Sequence, residues 1–160
     1  MTEIREFSHL DESGTARMVD VSAKAETHRT ATAQGQVRLT ESVRQLVAEK
    51  ALPKGDVFTV AKLAGILAAK KCGELIPLCH PLPLTDIQVE LRLTESGVAI
   101  SATASCVGRT GVEMEALTAV SVAALTVYDM CKAVDKGIVI EEVRLVSKTG
   151  GKSGAWHAEK

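Results

Sequence analysis

Apolar and polar residues alternate in two runs near the middle of the chain. Ile87, Val89, Leu91 and Leu93 are interleaved with Gln88, Glu90, Arg92 and Thr94. Val98, Ile100, Ala102, Ala104 and Cys106 are interleaved with small or polar residues. Side chains on a strand point to opposite faces in turn, so a period of two predicts strands with one face buried. Thr94-Glu95-Ser96-Gly97 lies between the runs and makes them a β-hairpin. Elsewhere the period lengthens. Val43, Leu46 and Val47 fall at helical spacing within Glu41–Lys50, and Pro53-Lys54-Gly55 stops that helix. Asp56 is placed to cap a second helix from Val57 to about Gly73, with Val60, Leu63, Ala64, Leu67 and Ala68 as its core stripe. Thr110-x-x-Glu113 has the form of a capping box and opens a long helix to about Asp135. Glu26–Leu39 and Ile138–Ser147 read as strands, and 74–83, with three prolines, as a loop. The order β-α-β-β-α-β, with an extra helix near its start, predicts an α+β domain. Its architecture is a ferredoxin-like antiparallel sheet with helices packed on one face.

The expected domain covers residues 17–154. A polar, mobile N-terminal arm (1–16) precedes it and a short tail (155–160) follows, with Gly150–Lys160 lacking further regular structure. Aromatic residues are only 2% of the chain and apolar residues 46%, so the core must be built from Ala, Val, Leu and Ile. Small side chains let backbones approach closely and favour tight packing and extensive subunit contacts. The net charge of −1 leaves no broad basic field for nucleic acid. Any anion must meet a local cluster of Lys and Arg. Cys72, Cys79, Cys106 and Cys131 form no C-x-x-C pair, which argues against a zinc ribbon or thioredoxin motif and for reduced thiols in the cytoplasm. Met1–Leu10 has no apolar signal-peptide core. Ala116–Tyr128, interrupted by Thr118, Ser121 and Thr126, reads as too short and too polar to cross a bilayer.

Chemistry concentrates on the long helix. At about 100° per residue, Glu115, Thr118, Val122, Asp129 and Lys136 share one arc, with Lys132 beside it. Asp129 and Lys132, three apart, can form an acid–base pair or a structural ion pair near the helix end, and spacing alone admits both. Glu113 has a structural role in the capping box, which leaves Glu115 as the functional candidate. Cys79-His80-Pro81 lies in the proline loop, where a stiffened backbone holds His80 for proton transfer or phosphate binding. A surface-loop histidine is the alternative. Cys79 and His80 lack a second pair of residues at metal-ligand spacing. Gly150-Gly151-Lys152-Ser153-Gly154 imitates the end of a Walker A motif, but Val146 stands where its first glycine is required. Such a turn can still present N–H groups to an anion, with Lys148 and Lys152 adding charge. Lys54, before a helix N-terminus, and Arg29, with its bidentate fork, are further anion candidates.

Several segments resemble the cyclic pyranopterin monophosphate synthase family, the molybdenum cofactor biosynthesis protein C family. They are Met18-Val-Asp-Val-Ser-Ala-Lys-Ala-Glu-Thr27, Lys54-Gly-Asp-Val57, Ile76-Pro-Leu-Cys-His-Pro-Leu82, Thr110-Gly-Val-Glu-Met-Glu-Ala-Leu-Thr118, Tyr128-Asp-Met-Cys-Lys-Ala-Val134 and Gly150-Gly-Lys-Ser-Gly154. The resemblance implies conversion of 3′,8-cyclo-7,8-dihydroguanosine triphosphate to cyclic pyranopterin monophosphate, with loss of pyrophosphate. It implies that Asp129 is the catalytic acid–base and Lys132 its partner. Leu78, Cys79 and His80 are implied as one substrate-binding segment, and Met114 with Glu115, next to Glu113, as another. Arg29, Lys54, Lys148 and Lys152 are implied as pocket cations. It also implies a homohexamer, a trimer of dimers, with sites at subunit interfaces. No redox cofactor or protein-bound metal is expected, although a divalent ion such as Mg²⁺ can accompany the triphosphate. The rival reading is a non-catalytic ligand-binding oligomerisation module, which accounts for the element pattern but not for these charged residues occurring together.

Overall fold

A computed structural model describes residues 13–159. Residues 1–12 of the expected N-terminal arm lie outside the described residues. The elements run β1 (Thr27–Arg38), α1 (Glu41–Ala48), α2 (Val57–Lys70), α3 (Cys72–Leu75), β2 (Leu84–Leu93), β3 (Gly97–Gly108), α4 (Glu113–Cys131), β4 (Val139–Thr149) and β5 (Trp156–His157). The sheet is antiparallel, in the order β2-β3-β1-β4-β5. The first four strands have the predicted ferredoxin-like order, and α2 and α4 cover one face. The stretch expected to be tail supplies β5. Trp156 pairs with Lys148 and His157 with Ser147, extending the sheet at the β4 edge. A strand of two residues is too short to leave a periodic signal.

The covered face is made of small residues. Ala31, Ala33 and Val37 of β1 and Ile100, Ala102 and Ala104 of β3 are buried against Ala116, Ala119, Val120, Ala123 and Val127 of α4. Their facing partners are polar. Thr30 bonds Ser105 at 3.2 Å, and Thr32 bonds Thr103 at 2.9 Å, in hydroxyl pairs across β1 and β3.

Asp56 caps α2 as expected, accepting from the Phe58 and Thr59 amides. The core face of α2 departs from the expectation. Leu63 and Leu67 are 56% and 58% exposed and Val60 is also exposed, whereas Val57, Ala61, Gly65, Ala68 and Ala69 are buried. The cause is close approach. A Cβ on Gly65 would stand 2.9 Å from the Ala119 carbonyl of α4, so only the small-residue face fits there and the larger side chains point outward. α2 also ends earlier than expected, at Lys70, and a helical turn occupies Cys72–Leu75.

The capping box does not form. Val112 is the N-cap of α4 and no side chain caps it. Glu113 bonds the Lys148 ammonium at 2.7 Å instead. With Val112 as N-cap, Glu113 is the first residue of the helix, and its carboxylate is taken up by the full positive charge of Lys148 on β4. By length and composition Glu113–Cys131 is apolar enough to cross a bilayer, but 56% of that stretch is buried inside the fold. It serves here as the core helix.

Candidate active site

The glycine-rich turn after β4 is shaped by Arg29. Gly150 and Gly151 both have positive φ, at 97° and 74°. A side chain at Gly151 would overlap the Arg29 guanidinium, and one at Gly150 the His28 carbonyl. The turn therefore wraps the arginine. Its Nε donates to the Gly108 carbonyl at 3.3 Å and its Nη2 to the Arg109 carbonyl at 3.4 Å. Lys24, Arg29, Arg109, Lys148 and Lys152 line a cavity of about 820 Å³ together with Thr110, Gly111, Glu113 and the Gly150–Ser153 backbone. Five cations face one carboxylate, beside the N-terminus of α4. Fixed positive charge and a helix N-terminus both favour an anion there.

A second cavity of about 360 Å³ shares Lys24, Thr110, Gly111 and Glu113 with the first. Leu78, Cys79, His80, Met114 and Glu115 line it. His80 Nε2 lies 2.8 Å from the Val19 carbonyl. A carbonyl only accepts, so Nε2 carries the proton and Nδ1 of the neutral ring is left as an acceptor. Glu115 is 3% exposed. Burial pushes its carboxyl upward and the charge of Glu113 adds to this, outweighing hydrogen bonds from its own amide and from Cys72. The buried Cys72 thiol is itself pushed up to about 12 by burial, despite a hydrogen bond with Thr118, and is inert as a nucleophile.

Asp129, Lys132 and Lys54 form a separate group. The Lys132 ammonium lies 2.7 Å from Asp129 Oδ1, and Lys54 lies 2.6 Å from Oδ2 and 3.1 Å from the Asp129 backbone carbonyl. Hydrogen bonds from Lys132 and Lys54 hold the Asp129 carboxyl at about 2, and Asp129 raises Lys132 in return. The aspartate side chain is 52% exposed. Asp129 stands fourteen positions after Glu115 on α4, roughly 21 Å at a rise of about 1.5 Å per residue. The chain thus brings Arg29, Lys148, Lys152, Glu113, Met114, Glu115 and the 78–80 segment together. It leaves Lys54, Asp129 and Lys132 at the far end of the same helix.

Lys24 and Arg109 escaped sequence reasoning. Both lie inside quoted motifs or one residue from them, and a cation adjoining the Thr110-Gly111 turn is the signal that marks Arg109. Among the described residues, no three His, Cys, Asp or Glu side chains converge as a metal site.

A ferredoxin-like α+β scaffold with a cationic, glycine-framed cavity beside a protonatable His and Glu defines a small-molecule enzyme pocket suited to a phosphorylated ligand. The MoaC family model matches residues 18–151. The chain is 57% identical over 155 residues to the cyclic pyranopterin monophosphate synthase of Novosphingobium aromaticivorans, covering 97% of this chain and 99% of that one. It is 58% identical to the enzymes of that name from Thermomicrobium roseum (96% and 94% covered) and Rhodospirillum rubrum (95% and 93%). The chain belongs to the MoaC family.

Proposed function

We propose that this chain is a cyclic pyranopterin monophosphate synthase. It converts 3′,8-cyclo-7,8-dihydroguanosine triphosphate to cyclic pyranopterin monophosphate with release of pyrophosphate, in molybdenum cofactor biosynthesis. The observation that carries this reading is the five-cation cavity opening onto His80 and Glu115. Arg29, Lys148 and Lys152 hold the triphosphate and stabilise charge on the departing pyrophosphate. His80 accepts protons at Nδ1, and Glu115, its carboxyl raised by burial, donates them. A divalent cation such as Mg²⁺, if it accompanies the triphosphate, would neutralise phosphate charge, and no side chain of the chain is assigned to it.

Asp129 and Lys132 act as the acid–base pair, with Lys54 steadying the carboxylate. In one chain they are too far from the cavity to reach its contents. The site is therefore composite: one copy contributes Lys54, Asp129 and Lys132, and another contributes His80, Arg29 and Lys148. The exposed apolar stripe supports this. Lys54 meets Asp129, and Gly65 meets Ala119, so α2 and α4 run antiparallel. On those two contacts Val60 falls near the level of the exposed Leu125, and the exposed Leu63 lies one turn further from the lysine–aspartate group. Covering that stripe with a second copy brings a neighbour to this end of α4. The assembly is a homohexamer, a trimer of dimers. Unpaired buried thiols at Cys72, Cys106 and Cys131 suit a reducing cytoplasm.

Pyrophosphate release from the cyclised GTP derivative, together with pterin fluorescence after oxidation, tests the activity. Absence of both in the folded oligomer overturns it. Mixing inactive Asp129→Asn subunits with inactive Lys148→Ala subunits tests the composite site. Hybrid oligomers with sites built from two copies regain activity, and sites contained in one chain do not.

A further inference from the structure

Residues 17–26 cross the two cavities without helix or strand. This strap lines both: Val19, Val21 and Lys24 face the smaller cavity, and Lys24 and Ala25 the larger. Internally it is a pair of tight turns, with the Ser22 amide on the Asp20 carboxylate at 2.8 Å and the Lys24 amide on the Val21 carbonyl at 3.0 Å. Among the described residues, the side-chain bonds that tie it to the body of the domain come from His80 and Arg109. His80 donates to the Val19 carbonyl. Arg109 Nη1 donates to the Ser22 carbonyl at 2.8 Å, and its Nε stands 3.6 Å from the Glu26 carboxylate.

We propose that Arg109 is a positioning residue whose guanidinium clamps this strap across the residues that line both cavities, so that Lys24 is held toward the bound triphosphate. This rests on the functional reading above. One residue organises two parts of the pocket. The Arg109 backbone carbonyl accepts from Arg29, while its side chain fixes the strap from the other side. The planar fork reaches a carbonyl and a carboxylate at once, which a lysine ammonium on a flexible stem reproduces poorly. The strap is otherwise exposed, and an exposed segment with few bonds to the body opens locally at low cost. Its hold on the substrate therefore depends on the clamp.

Hydrogen exchange of the 19–26 amides in the full oligomer, with and without added pyrophosphate, is measured beside KM and kcat. Arg109→Ala speeds exchange across the strap and raises KM, each by about tenfold, the scale of one charge-assisted hydrogen bond, with kcat largely kept. Arg109→Lys retains the cavity charge but not the fork, so its exchange and KM stay raised. Glu26→Gln, which leaves every cavity cation in place, shifts both in the same direction by less, and carries the test if Arg109→Ala fails to fold. Unchanged strap exchange in these variants overturns the clamp. Full recovery of KM in Arg109→Lys also overturns it, by making Arg109 a simple phosphate cation. If the wild-type protein turns over no cyclised GTP, the functional reading fails, and the clamp is judged on exchange and pyrophosphate protection alone.

Discussion

The two ends of α4 carry carboxylates on the same helical arc, yet their surroundings drive them in opposite directions. Near the start, Glu115 is buried among cysteines and small residues, and desolvation raises its carboxyl. Near the end, Asp129 is half exposed between two lysines that hold it at about 2. One end favours a protonated acid inside a cavity, and the other an ionised carboxylate, in the base form, on a surface. Helical periodicity sees only the shared arc. What differs lies beyond the helix: a cavity of this chain at one end, two lysines and solvent at the other.

The largest effect is expected where that second face is blocked. Leu63→Glu places a charge in the exposed stripe of α2 without touching the core. Light scattering should show smaller species with the melting transition retained, and turnover should fall to background because the lysine–aspartate group loses its partner cavity. An intact, active hexamer would separate the two ends of α4 functionally and sink the composite site. Next comes the pair itself. Asp129→Asn and Lys132→Ala should each lower turnover by at least about a hundredfold, the lower range for general acid–base groups. The double variant should be little worse than the worse single, because the two act as a unit. Near wild-type turnover in Asp129→Asn would reduce the group to a surface ion pair. At the cavity end, Lys148→Ala removes a triphosphate contact and frees Glu113. KM should rise by roughly ten- to a hundredfold, the range for a charge-assisted bond, with kcat reduced less. A fall in kcat alone would place Lys148 in the chemistry and not in binding.

Legibility in the sequence differed between regions for physical reasons. The β2–β3 hairpin was readable because each residue's face is set by its neighbours, and Val89, Val98, Ile100 and Ala102 are buried as the alternation requires. The face of α2 was not readable. Its contact with α4 depends on how little Ala61, Gly65 and Ala68 occupy, and hydrophobic periodicity gives weight to Leu63 and Leu67 instead. The capping box failed because Glu113 meets Lys148, 35 residues away in sequence, which no local motif registers. In the site, the motifs held His80, Glu115 and Asp129. Their division between two ends of one helix is a matter of length and packing. The role of Arg109 was not legible beyond its place beside the Thr110-Gly111 turn, because its partners, Ser22 and Glu26, come from a strap more than 80 residues earlier.

The smallest effect sharpens the contrast most directly, because it separates the two carboxylates by the sign of their pH dependence. Asp129 has a folded value of about 2, below its ordinary 3.8. Its ionised form is therefore favoured by folding, and the stabilisation is present above 3.8 and lost as pH falls toward 2. Glu115 is raised above its ordinary 4.5. Its protonated form is favoured by folding, so its contribution is fully present below 4.5 and is lost as pH rises through the folded value. Asp129→Asn should thus lower the melting temperature slightly at neutral pH, with the difference from wild type closing between pH 4 and 2. Glu115→Gln keeps the shape and removes the ionisation, so its melting temperature should gain on wild type as pH rises above 4.5. Both series need one fixed protein concentration, since assembly shifts apparent stability by mass action. If Glu115→Gln instead loses stability steadily toward neutral pH, the carboxylate is bonded in its charged form, and Glu115 cannot be the proton donor at the cavity end of α4.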